Sequence, residues 1–130
     1  MIVVDASVLA PALVDGGEAG RQARTRLRAV RLAAPFIVDL EVMAAFRHIA
    51  LAGELDDHRL RLAVRRAAAL RIRRFPHVPL LPRISALRHN VTAYDAAYVA
   101  LAEAMGVPLV TADERLASAP GITCEVELLR

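Results

Sequence analysis

The sequence predicts a three-layer α/β/α domain around a mainly parallel central sheet. Three observations carry this. Short apolar runs alternate with longer helical stretches, the order that builds strand–helix–strand units. The 130 residues suit one domain, residues 1–130, with room for a buried core. Of these residues 56% are hydrophobic and 4% aromatic, so the core must be Leu, Val, Ile and Ala.

Each element has a local reason. MIVVD reads as a buried strand ending in an acid. ASVLAPALVD follows as a helix, with Ser7 as candidate N-cap and Pro11 bending or tightening its early turns. GGEAG reads as a loop, RQARTRLRAV as a basic helix and RLAAPF as a short strand or extended segment. VDLEVMAAFRHIALAG is a helix with Asp39 as candidate N-cap and Gly53 as a stop. ELDDHRLRLAVRRAAAL is another, started by Asp56 or Asp57. RIRRFPHVP is extended and LLPRISALRH a short helix. NVTAYDAAYVALAEAMG is a helix ended by Gly106, and VPLVT a buried strand. ADERLASAPG is a short helix and turn, and ITCEVELL has the partial alternation of an edge strand.

Composition excludes several classes. No apolar run approaches the roughly eighteen residues of a membrane span. The first residues lack a basic segment and Asp5 interrupts them, so no signal peptide is expected. The single Cys124 precludes an internal disulfide and fits a reducing cytoplasm, the expected location. The net charge is +3, with pI ≈ 10.0, and every base other than His is Arg. Receiver-like and haloacid-dehalogenase-like phosphotransferases also place Asp after a first strand, but they need a site lysine and this chain has none. His48, His58, His77 and His89 form no paired acid–base motif and read as surface or core residues.

Charge is unevenly placed. From His58 to Val91 there is no acid but nine Arg. A solvated helix face followed by a basic loop explains this band. So does a surface for phosphate backbone, to which Arg65, Arg66, Arg73, Arg74 and Arg88 would contribute.

Four acids occupy equivalent places. Asp5 ends the first strand, Glu41 and Asp95 lie in first turns of helices, and Asp113 follows the strand VPLVT. Ligand sites of open α/β sheets form outside the carboxyl ends of the strands, where these acids can converge. Each has a local explanation: a carboxylate at a helix N-terminus gains about 0.3–1 kcal/mol from the macrodipole, and TAYD fits a capping box. As a set they would repel one another. A divalent cation removes that repulsion, and hard oxygen ligands suit Mg²⁺ or Mn²⁺. Asp95 poses the question most sharply, because it shares a helix face with Tyr98, Val99 and Ala102, the stripe expected to face the core.

The segments VVDASVL, DLEV, NVTAYDAAYVALAE and PLVTADERL, in that order, resemble the PIN-domain ribonucleases, and among them the VapC-type toxins of bacterial toxin–antitoxin pairs. The resemblance covers nearly the whole chain. It implies a PIN-like fold and an acidic metal site at Asp5, Glu41, Asp95 and Asp113, with Ser7 and Thr111 at accessory polar positions and Asn90 in support. It further implies Mg²⁺- or Mn²⁺-dependent hydrolysis of RNA to 5′-phosphate and 3′-hydroxyl ends. Implied partners are a cognate VapB-type antitoxin and a second copy of the chain. Some PIN domains carry another Asp just beyond the position of Asp113; here Glu114 stands there. The alternative is a PIN-like module that holds RNA or a protein without cleaving it.

Overall fold

The computed structural model describes residues 1–14 and 16–130; Asp15, expected at the end of the first helix, lies outside the described residues. Strands β1 (Ile2–Val4), β2 (Leu32–Pro35), β3 (Ile72–Phe75), β4 (Leu109–Thr111) and β5 (Val126–Leu128) form one sheet in the order β3-β2-β1-β4-β5. Every pairing is parallel. Helices α1 (Ala6–Val14) and α2 (Glu18–Leu27) connect β1 to β2, and α3 (Val38–Leu51) and α4 (Asp57–Ala69) connect β2 to β3. A 3₁₀ turn (Val78–Leu80), α5 (Leu81–Ala86) and α6 (Ala93–Met105) lead to β4, and α7 (Glu114–Ala117) leads to β5.

α1 packs on α2, α3 and α4, whereas α6 packs on α5 and lies against β1, β2 and β4. With right-handed crossovers, this strand order puts the two groups on opposite faces, giving the expected three layers. The order reverses between β1 and β4, a switch point where the loops part and a crevice opens.

The central strands are apolar because both faces are covered: β1, β2 and β4 are buried throughout. The edge strands β3 and β5 are half-exposed and carry charge, which discourages pairing with other sheets. The helix α6 exceeds the expected stripe. Tyr98, Val99 and Ala102 are buried, and so are Ala96, Ala97, Ala100 and Leu101. Alanines let neighbours approach closely enough to cover its middle, residues 96–102, all round, while Tyr94 and Ala104 near its ends stay exposed. No described helix is long and apolar enough to cross a membrane.

Three helix starts differ from expectation. Ser7 is not an N-cap: α1 begins directly after β1, with the Asp5 carbonyl accepting from Val8 and Leu9 N–H. Part of GGEAG is helical, because Glu18 suits a helix N-terminus and bonds to Arg21 and Gln22 one turn on. Asp39 does not cap α3; it lies inside the first turn and pairs with Arg74 on β3. Elsewhere the local signals hold. Asp56 caps α4 by accepting from Arg59 N–H, and Thr92 caps α6 by accepting from Asp95 N–H. Gly106 ends α6 with φ 65°, a left-handed conformation that costs glycine little.

Candidate functional site

The crevice at the switch point is built from short local bonds. Asp5 N–H donates to the Val110 carbonyl at 3.0 Å, tying the end of β1 to β4. The hydroxyls of Ser7 and Thr111 both donate to Asp5 Oδ2, at 2.7 and 2.8 Å. Ser7 Oγ in turn accepts from Ala112 N–H at 2.9 Å, and Thr111 Oγ1 from Asp113 N–H at 3.1 Å. Two hydroxyls from two chain segments, 5–7 and 110–113, therefore fix the carboxylate of Asp5, a residue 6% exposed. Asp113 caps α7 through Oδ1, which accepts from Arg115 N–H.

Glu41 reaches the same crevice from the first turn of α3, where its Oε1 accepts from the buried Tyr98 hydroxyl. Asp95 reaches it from the first turn of α6. Asp5, Glu41, Asp95 and Asp113 together line a cleft of about 460 Å³, with Ser7, Ala10, Pro11 and His48 among its other walls. The four acids, far apart in sequence, are thus brought to one place.

Their electrostatics agree. Glu41 is pushed above the usual carboxylate range, first by burial and further by the charges of Asp5 and Asp95; the Tyr98 hydrogen bond opposes this. Asp95 is raised by burial and then by Asp5 and Asp113, with Thr92 and Arg115 opposing. The Tyr98 hydroxyl is itself raised by burial and by Glu41. Among the described residues no ion pair engages any of the four acids. Their hard oxygen donors and uncompensated charge suit a divalent cation. No three His, Cys, Asp or Glu side chains among the described residues are drawn into a ready ligand shell.

The other candidates divide. Ser7 and Thr111 join the site through Asp5. Asn90 does not line the cleft; its side chain stands against Gly121, in the loop before β5. The basic band is spread over α4, β3, α5 and the turn after it, and its arginines have different neighbours. Arg65 is exposed on α4 and Arg66 donates to the Leu13 carbonyl. Arg73 lies over the Phe75 ring, Arg74 is held by Asp39 at 2.7 and 2.8 Å, and Arg88, just past α5, donates back to the Ser85 carbonyl. His48, read as an ordinary surface or core residue, lines the cleft. It follows Glu41 by seven residues on α3, a spacing that marks one helix face.

A parallel sheet with an acidic cleft at its switch point defines the class. The chain belongs to the PIN-domain family, whose model matches residues 2–122. Ribonuclease VapC1 of Mycobacterium tuberculosis is 43% identical over 129 residues, covering 98% of this chain and 97% of that protein, which places the chain beside the VapC ribonucleases. Among solved structures, M. tuberculosis VapC20, described as a sarcin-ricin loop cleaving toxin, superimposes with a TM-score of 0.68 at 18% identity, over 95% of this chain and 97% of that one. A toxin–antitoxin complex from Klebsiella pneumoniae gives 0.61 at 21% identity, over 95% and 96%.

Proposed function

We propose that this chain is a Mg²⁺- or Mn²⁺-dependent endoribonuclease, the toxin half of a toxin–antitoxin pair. The observation that carries the reading is the convergence of Asp5, Glu41, Asp95 and Asp113 on one cleft, with none of them in an ion pair among the described residues. The names of the related ribonucleases support the substrate class.

The chain's own residues supply the following. Asp5, Asp95 and Asp113 would hold the cation at the cleft. When bound, it would supply positive charge against the scissile phosphate and the transition state. Ser7 and Thr111 keep the Asp5 carboxylate in one orientation. Glu41, steadied by Tyr98, orients the attacking water and, being raised in pKa, accepts its proton readily. The water adds to phosphorus, the bond to the 3′ oxygen breaks, and that oxygen leaves with a proton, giving 5′-phosphate and 3′-hydroxyl ends.

Purified protein with single-stranded RNA tests this. Cleavage should require Mg²⁺ or Mn²⁺, stop with chelator and be lost in Asp5→Asn. RNA binding without cleavage under all metal conditions would favour the non-cleaving module instead.

The partners belong to the same proposal. A free nuclease would damage its own cell, so a VapB-type antitoxin blocks the cleft until release. The chain pairs with a second copy through exposed apolar residues: Leu81 and Tyr94, 49% and 61% exposed, border a recess with Ile37 and Ile84. In a bacterial host, wild type alone should arrest growth, Asp5→Ala should not, and co-expressed antitoxin should rescue. Light scattering should show a dimer, and Tyr94→Asp a monomer.

A further inference from the structure

The acidic cleft does not end at the acids. Pro11 and Ile49 line both the cleft and an adjoining recess, which is also walled by Val14, Leu55 and Arg59. Val14 and Arg59 in turn line a third hollow of about 520 Å³ with Leu13, Leu62 and Arg66. The three share walls in series, so a groove runs along α1 from its acidic start to its end. Nine residues of α1 span about 13 Å at 1.5 Å per residue, the length of a few nucleotides.

The far end of that groove is cationic. Arg24 Nη1 donates to the Ala12 carbonyl, Arg66 Nη1 to Leu13 and Arg59 Nη2 to Val14, at 3.2, 3.4 and 3.1 Å. These bonds satisfy the last carbonyls of α1. Each guanidinium carries five N–H donors in a planar fork, so Arg59 and Arg66 keep donors to spare. Among the described residues no carboxylate pairs with either. Glu54, the one acid on the intervening recess among the described residues, forms no ion pair with Arg59. Acid at one end and unpaired guanidinium at the other is a polarity that suits a nucleic-acid strand: cation-bridged phosphate at the first, direct phosphate contact at the second.

We propose that Arg59 and Arg66 form a phosphate-binding subsite for the RNA strand whose scissile phosphate lies at the acids, and that α1 sets the spacing between the two. The inference rests on the nuclease reading for the first phosphate. It narrows strand binding from the whole basic band to two of its arginines, Arg59 and Arg66, that line the groove.

The test separates charge from helix capping. Arg59→Gln with Arg66→Gln keeps a donor for each α1 carbonyl but removes both charges. Both this variant and its parent carry Asp5→Asn, and binding of fluorescently labelled single-stranded RNA is read by anisotropy without divalent ion. Affinity should fall at least about tenfold, and the dependence on salt should become shallower by about 0.7 in log–log slope per lost contact. Arg59→Lys with Arg66→Lys should restore the salt slope. Unchanged affinity and slope in the Gln variant would overturn the subsite and leave the arginines as helix caps. Normal RNA binding with lost antitoxin rescue would overturn it in favour of a protein partner. If the double variant does not fold, Arg66→Gln alone, at the longest of the three bonds, should show half the slope change. Cleavage by wild type is scored separately: absent cleavage sinks the nuclease reading, whereas cleavage with an unchanged slope sinks only the subsite.

Discussion

Tyr98 donates its hydroxyl to Glu41 at 2.5 Å, joining two helices across 57 residues of sequence. Tyr98 is wholly buried, so its ring is held by the core while its one polar atom meets the acid. A carboxylate in a first turn would otherwise rotate among several rotamers, and this bond selects one.

Tyr98→Phe tests that selection, since the ring still packs and only the hydroxyl goes. Stability should fall by about 1 kcal/mol, the usual worth of one hydrogen bond. Cleavage kinetics should show kcat lowered about tenfold or more with KM little changed, as when a group that orients the reacting water is loosened. An equal rise in KM with kcat intact would place Tyr98 in substrate binding instead.

The burial of the acids, together with the repulsion among them, has a pH signature. Asp95 and Glu41 have folded-state pKa values above their unfolded ones, so the folded chain holds their protons longer. Each costs stability as pH rises from the ordinary carboxylate value through the raised one, and the cost persists at neutral pH. Apo Asp95→Asn should therefore melt above apo wild type at pH 7, with the difference shrinking to nothing in acid. Mg²⁺ should raise the wild-type melting temperature more than the variant's, because the ion binds the folded state. Scanning calorimetry across pH, with and without Mg²⁺, reads both effects.

Glu103 behaves in the opposite sense. On α6 it accepts from Arg83 at 2.7 and 3.0 Å and from Thr123 N–H and hydroxyl at 2.8 Å, holding α5 and the segment before β5 to the helix. The Arg83 guanidinium, with Thr123, holds its pKa down to about 2. Its stabilisation is complete above the ordinary carboxylate value and fades as pH falls toward 2. Glu103→Gln should cost about 1–3 kcal/mol at neutral pH, typical of charge-assisted bonds, and almost nothing in strong acid. Denaturant melts at the two pH values check the difference.

Arg74 is committed to Asp39, and its partner sits in the same helical turn as Glu41. Arg74→Ala should leave RNA affinity and its salt slope unchanged. The pair is partly exposed, so a double-mutant cycle with Asp39→Ala should give a coupling of about 0.2–1 kcal/mol. A shallower salt slope in Arg74→Ala would return this arginine to the RNA surface.

Local chemistry determined much of this protein. Alternating apolar runs and helices set the parallel α/β class, since a strand buried on both faces must be apolar throughout. Thr92, Asp56 and Gly106 announced their helix ends because a cap is a bond within a few residues. Asp5, Glu41, Asp95 and Asp113 stood out because strand ends and helix starts share one edge of such a sheet, so position along each element already implied proximity. What required the tertiary structure was every bond between distant segments. Ser7 looked like a cap until Thr111, 104 residues away, was seen beside it on Asp5. Tyr98 looked like core until its hydroxyl met Glu41, and His48 like an ordinary residue until α3 turned it to the cleft. The arginines show the same division. Sequence counts charge along the chain, but whether a guanidinium pairs with Asp39, lies over Phe75 or caps the end of α1 depends on which neighbours the packed helices and strands place within reach.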